Sequence, residues 1–390
     1  MHGFLAFKTH YYLMARAKET HLIITKLYDF GGTNNHLKEL IAYLGKDNVI
    51  LVLANANELN YLKEITDPAG VKVILQRNLH PYAHLQYRFT TNVKEFFKII
   101  YAIALIKLLS LKYNCVTVNI CSAESEKYLY LLWLPFIKVF YFLHSTPQPK
   151  YTGFTSFTCN KTLGNHKTIV TVSNANRTVV LKNWEITDPK KQFVKVVYNC
   201  LPADYEKDIK LRVKPGVQKI VLTLGHVIDY KNPAIWLTVA KMVTAVNANV
   251  VFKWVGSGPL YSDFEKLGKD LDRIRFEGYS NNPKSYLAKA DIYYQPSIYE
   301  THGIAVVEAM AHGLSCVVSN AGGLPESVLN GYNGFLADAN NAETQADAIQ
   351  KLLNDGHERS NFGSKGYKRY QELFTYASFK KNMDALYYNA

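Results

Sequence analysis

At 390 residues the chain exceeds what one ordinary hydrophobic core supports and fits two domains of typical size. With 48% hydrophobic and 20% charged residues it is neither a disordered nor a fibrous chain. The formal charge of +13 is lopsided: residues 1–200 hold 24 Lys+Arg against 12 Asp+Glu, and residues 201–390 hold 21 against 20. An acidic partner is therefore expected on the first half, whether a phosphorylated acceptor, an anionic membrane surface or nucleic acid. The plain alternative is a solvated, lysine-rich surface.

Taken in chain order, "MHGFLAFKTHYYLMARAK" is broken by Lys8 and His10 before any long apolar stretch develops, so a signal peptide is not expected. "HLIITKLY" reads as a strand, "DFGGTNN" as a turn and "HLKELIAYLG" as a helix. "NVILVLA" and "VKVILQ" follow as short apolar strands, and "CVTVNIC", "KVFYFLH" and "KTIVTVS" have the length of buried ones. The apolar stretches "FFKIIYAIALIKLLSL" and "YLYLLWLPFIKVFYFL" are interrupted by Lys98 and Lys107 and by Pro135 and Lys138. Both fall short of the ~18 uninterrupted apolar residues of a spanning helix and read as a buried helix and a buried strand. Peripheral attachment to a membrane stays open.

The polar segment "LPADYEKDIKLRVKPGVQK" reads as an interdomain connection. A second strand–helix series then begins with "KIVLTLG", "PAIWLTVAKMVTAV" and "VVFKWVG" and runs through "DIYYQPS" and "SCVVSN". Alternation throughout predicts parallel sheets with crossover helices, an α/β chain of two doubly wound domains with ligands at the carboxyl ends of the strands. Five scattered cysteines form no CxxC pair or regular framework, the pattern of reduced thiols in a cytoplasmic protein.

"YETHGIAVVEAMAHG" sets Glu300 in a loop and Glu308 inside the following helix, which should end at Gly313. The amides of Gly303, Ile304 and Ala305 would be the unpaired donors of that helix start, suited to a phosphate. The two acids would accept hydrogen bonds from vicinal sugar hydroxyls. From "LTLGHVIDYKNP" to "PSIYETHGIAVVEAMAHGLSCVVSNAGGLPESVLNGYNGFL", this half resembles the GT-B-fold retaining glycosyltransferases of family four. That family's pattern runs E-x7-E, a Gly-Gly turn and a P-E pair, here Glu300, Glu308, Gly322, Gly323, Pro325 and Glu326. The resemblance implies two Rossmann-like domains facing across a cleft, residues 1–203 plus 374–390 on the acceptor side and 204–373 binding the donor.

The same resemblance assigns roles. Lys231 falls where the family has a lysine on the donor diphosphate, and His226, after Gly225, stands where it has arginine. Glu308 would hold ribose hydroxyls, Glu300 the donor sugar, and Tyr279 would open the base-contacting turn. In the first half, Gly31 and Gly32 match the family's first strand-to-helix loop, and His144 matches a histidine on the donor sugar. Ser173, Asn174 and Arg177 match a strand-to-helix step near the cleft. Cys200 replaces a usual glycine. The implied catalytic set is His144, Lys231 and Glu300, in a retaining hexosyltransferase-type enzyme.

The implied donor is a GDP- or UDP-sugar and the acceptor a hydroxyl of a glycan or glycolipid. No metal and no further cofactor are expected. A nucleotide-sugar epimerase on the same fold and a non-catalytic polyanion-binding protein are the alternatives. Nucleic acid is the less favoured partner, since no interleaved aromatic and basic motif is present. Two signals are discounted: Gly256 and Gly258 lack the rest of a dinucleotide fingerprint, and Asp270 and Asp272 end a charged helix.

Overall fold

A computed structural model describes residues 19–26, 32–54, 56–65, 70–76, 92–122, 126–147, 152–205, 209 and 218–388. The chain divides into two compact units, Met1–Val197 with Asn382–Ala390, and Tyr198–Lys381. The resemblance implies these changeovers at 203/204 and 373/374. The amino-terminal stretch "MHGFLAFKTHYYLMARAK", Gly31 and most of the expected connection lie outside the described residues.

The first unit holds strands β1 (Thr20–Lys26), β2 (Val49–Leu53), β3 (Lys72–Leu75), β4 (Cys115–Ser122), β5 (Lys138–Leu143), β6 (Lys167–Thr171) and β7 (Val194–Val196). They form one sheet in the order β3-β2-β1-β4-β5-β6-β7, every pair parallel. Its longer helices are α1 (Gly32–Leu44), α2 (Glu58–Ile65), α3 (Asn92–Lys112), α4 (Thr152–Thr162) and α5 (Asn174–Asn183). The second unit holds β8 (Lys219–Leu224), β9 (Val250–Val255), β10 (Ile274–Gly278), β11 (Ile292–Gln295), β12 (Ser315–Ser319) and β13 (Gly334–Ala337). Their order is β10-β9-β8-β11-β12-β13, again all parallel. The accompanying helices are α6 (Pro233–Val246), α7 (Tyr261–Gly268), α8 (Ile304–Ala311), α9 (Ala342–Asn354), α10 (Gly356–Leu373) and α11 (Tyr376–Tyr388).

Covering helices explain the apolar strands. Both faces of each sheet are packed, so β2 and β12 are buried at every position. Along β11, Tyr293 faces one core layer with Val306 and Met310 of α8, while Ile292 and Tyr294 face the other with Trp236 of α6. In each sheet the order reverses beside its first strand, between β1 and β4 and between β8 and β11. Loops leaving the carboxyl ends of such a pair diverge to opposite faces and open a crevice.

Two expectations need correction. The first helix begins at Gly32, four residues before the expected His36, and Thr33 is already one of its buried positions. The stretch around "FFKIIYAIALIKLLSL" is helical, as α3, yet only one face is buried. Ile99, Ala102 and Ile106 join the core, while Phe97 and Leu108 are each 64% exposed. Among the described residues no helix is long and apolar enough to cross a membrane.

Candidate functional site

The loops leaving β8 and β11 carry most of the residues singled out in the second half. After β8 the chain passes Gly225 and His226, makes a single turn over Asp229–Lys231, and enters α6 through Asn232 in the left-handed region. After β11 it passes Glu300 and enters α8 at Gly303. The two loops meet in an ion pair between Lys231 Nζ and Glu300 Oε1, both largely buried. The same oxygen accepts from Gln295 Nε2 at 2.8 Å and from Ser297 Oγ at 3.2 Å. Among the described residues Oε2 has no donor, so the carboxylate is fixed by one oxygen and presents the other. Gln295 and Ser297 carry no charge and lie inside a strand-to-loop run, which is why the motif alone did not reveal them.

Gly303 enters α8 with φ +86°, and a Cβ there would lie 2.6 Å from Leu324 Cδ2. Glycine is thus needed for both conformation and clearance. The amides of Ile304 and Ala305 have no hydrogen-bond partner among the described residues, while Val306 N already donates to Gly303 O. A short stretch of positive potential therefore sits just beyond Glu300. Gly323 N donates to Glu300 O at 2.8 Å, so the Gly-Gly turn after β12 braces the Glu300 loop.

Glu308 lies on the second turn of α8. Its surface is partly accessible, yet desolvation raises its carboxyl from 4.5 to about 7, with Lys284 pulling the other way. Lys284 follows the Tyr279–Asn282 turn, and its ammonium lies 4.0 Å over the Tyr205 ring. No motif had singled it out. Tyr279 is exposed at the end of β10. Its loop joins the same rim through Gly256 N to Gly278 O at 2.8 Å and Val227 N to Ser257 O at 3.0 Å. His226 is exposed at its edge; desolvation first, and Lys231 second, hold its imidazole below the ordinary value. His302, in contrast, is buried against Tyr198 and Phe374, at ring distances of 5.5 and 5.2 Å. Neither of its ring nitrogens finds a partner, and desolvation lowers it to about 4.

In the first unit, Gly32 opens α1 and His144 follows β5. The His144 ring lies 4.4 Å from that of His36, and its Nε2 is 3.8 Å from Cys121 Sγ. Burial, then His36, keep the His144 imidazole well below the usual range. His36, Cys121 and His144 are, among the described residues, the group whose donor atoms could hold a metal ion. Their environment favours neutral forms: burial pushes the Cys121 thiol up, opposing the thiolate a metal requires. Ser173 caps α5 by accepting from Asn176 N at 3.0 Å. Arg177 donates from Nε to Val194 O at 2.7 Å and from Nη2 to Lys191 O at 3.0 Å. These two residues therefore have local structural work. The five cysteines are free thiols, four of them buried.

Residues 204–369 match the family model described as Glycosyl transferases group 1. N-acetyl-alpha-D-glucosaminyl L-malate synthase of Bacillus anthracis is 26% identical over 56% of this chain and 59% of its own length. UDP-Gal:alpha-D-GlcNAc-diphosphoundecaprenol alpha-1,3-galactosyltransferase of Escherichia coli is 26% identical over 48% of this chain and 51% of its own. The chain thus spans little more than half the length of these relatives. HepE of Anabaena, solved with UDP, superposes with a TM-score of 0.75 at 16% identity over 95% of this chain and 100% of its own. Such a likeness establishes the fold. Residues 204–369 are thus similar to the glycosyl transferases group 1 model, within a chain that has the GT-B fold of two Rossmann-like domains.

Proposed function

We propose that the chain transfers a sugar from a nucleoside diphosphate donor, with uridine preferred to guanosine, to a hydroxyl of a glycan or glycolipid, retaining the anomeric configuration. The observation that carries this reading is the meeting of Lys231, Glu300 and the open start of α8 at the switch point of the second sheet. The Anabaena neighbour was solved with UDP and with UDP-glucose, which supports uridine. Both curated relatives carry an α linkage in their names, which supports retention. Those names also contain malate and a diphosphoundecaprenol carrier, both anionic, in keeping with the basic first half of this chain.

The reaction breaks the bond between the anomeric carbon and the diphosphate, so negative charge grows on the leaving oxygen. Lys231 Nζ and the amides of Ile304 and Ala305 are proposed to stabilise it, aided by the dipole of α8. Lys231 is the one cation in the loop from Gly225 to Asn232. With its imidazole held below the ordinary value, His226 acts near neutral pH as a neutral N–H donor rather than as the arginine's substitute in charge. Glu300 Oε2 would accept from donor-sugar hydroxyls and Glu308 from the ribose, while Tyr279 borders the base. His144 and the Gly31–Gly32 loop keep the sugar- and phosphate-contacting roles that the resemblance gives them.

Calorimetric titration with UDP and GDP tests the reading. UDP should bind the wild-type chain more tightly, and Lys231→Ala should weaken it by at least about tenfold through loss of a charge-assisted contact. No binding of either nucleotide, or equal UDP affinity in the variant, would overturn it. Glu308→Gln should weaken UDP less, about threefold to tenfold, because an amide still accepts from one hydroxyl; no change would remove Glu308 from the ribose.

A further inference from the structure

Helix α3 is apolar on two opposite faces. At about 100° per residue, Ile99, Ala102, Ile106 and Ser110 share the inward face, and all four are buried. Phe97, Tyr101, Ala104, Leu108 and Leu111 form a narrow stripe on the reverse side, and all are exposed. A surface helix ordinarily turns a polar face outward. Here the outward stripe continues the spacing of a buried one with no charged side chain in it.

Its charges are arranged at the edges. By the same rotation Lys98 and Lys112 flank the stripe on one side and Lys107 on the other. Between residues 94 and 167 the sequence holds nine lysines against three glutamates and no other charged residue. The neighbouring turn, Leu129–Trp133, packs against α3 and belongs to the same core. From it Trp133 stacks on Phe157 of α4 at 6.0 Å, and Phe136 just beyond is 98% exposed. Aromatic side chains, an apolar stripe and flanking lysines are what a helix lying in a bilayer interface presents. The lysine stems can lie along the apolar surface while their ammonium groups reach lipid phosphates.

We infer that the outer face of α3 docks on a membrane surface containing anionic lipid, with the helix lying in the plane of the interface. A second copy of the chain fits this face less well. A two-fold interface would set Lys98, Lys107 and Lys112 against the same lysines, with no acid in the stripe to offset them. The inference stands apart from the proposed transfer reaction and does not require it.

The test uses the full chain and sucrose-loaded vesicles of phosphatidylcholine alone or with about 30% phosphatidylglycerol. Wild-type protein should sediment with the anionic vesicles, weakly with the neutral ones, and less at about 0.5 M salt. The double variant Phe97→Glu, Leu108→Glu changes two exposed positions. It should keep the wild-type melting curve while its partitioning onto anionic vesicles falls by at least about tenfold. Lys98→Gln with Lys112→Gln should narrow the preference for anionic vesicles. Wild-type protein that stays in the supernatant, or a glutamate variant that binds as wild type, overturns the inference. So does a wild-type dimer, seen by light scattering, that ignores vesicles and is dissolved by the glutamate variant.

Discussion

Glu308 and His302 stand six residues apart and carry opposite proton linkages. Folding raises the Glu308 carboxyl from 4.5 to about 7, so between these values the folded chain binds more protons than the unfolded one. Its contribution to stability is complete below 4.5 and is lost as pH rises through about 7. Glu308→Gln should therefore gain stability over wild type at pH 8, by no more than about 3 kcal/mol, and little at pH 4.5. Parallel melting curves of the two proteins across that range would count against an enclosed carboxyl. Folding lowers the His302 imidazole from 6.5 to about 4, so here the unfolded chain binds the extra proton and stability falls as pH drops through that window. Its two ring nitrogens also lose water without gaining a partner. His302→Phe, set between Tyr198 and Phe374, should stabilise the protein by about 1–2 kcal/mol, most clearly near pH 5. A lower melting temperature at every pH would show instead that the larger ring overpacks the site.

At the scale of elements, the site is a property of loops held by other loops. Gly322 and Gly323, after β12, lie against the backbone of Glu300 and Thr301; a Cβ on Gly322 would sit 2.0 Å from Glu300 O. Gly322 also has φ +54°, which L side chains rarely adopt. Gly322→Ala must move the Glu300 loop. It should destabilise the protein by roughly 2–4 kcal/mol and reduce UDP binding together with it. Wild-type affinity in a protein of lowered melting temperature would separate the brace from the donor site. The E-x7-E spacing and the glycine pair were legible because they stand in order within one string that resembles a known family. Gln295, Ser297 and Lys284 were not, since an uncharged strand residue or a surface-like lysine has no signature until folding brings it to an acid. Arg177, which the resemblance sets near the cleft, is held here by donating to two backbone carbonyls.

At the scale of the molecule, the chain crosses between units twice. Helix α11 begins in the second compact unit and ends in the first. There Tyr387 is buried, stacks on Phe140 at 4.3 Å and donates from its hydroxyl to Asn119 Oδ1. Tyr43 donates to Asp384 Oδ1 at 2.9 Å on the same helix. Tyr387→Ala should cost roughly 3–5 kcal/mol, chiefly in the calorimetric transition of the first unit. Tyr387→Phe, which orphans only the Asn119 acceptor, should cost about 1 kcal/mol. Equal effects of the two substitutions would place the whole contribution in the hydrogen bond.

Alternation of apolar runs with amphipathic ones determined, from sequence alone, that this chain is α/β with parallel sheets. A strand buried on both faces is written mostly in apolar residues. The ordered string from Gly225 to Glu326 likewise carried the resemblance on which the proposed donor-binding role of this half rests. Tertiary structure alone decided which of those residues meet. Lys231 and Glu300 are 69 positions apart, and only the reversal of strand order between β8 and β11 puts their loops in one crevice. It also decided that α3, read as buried, has an inward face and an outward one. Apolar composition states that a helix avoids water, but the neighbours that cover it determine where.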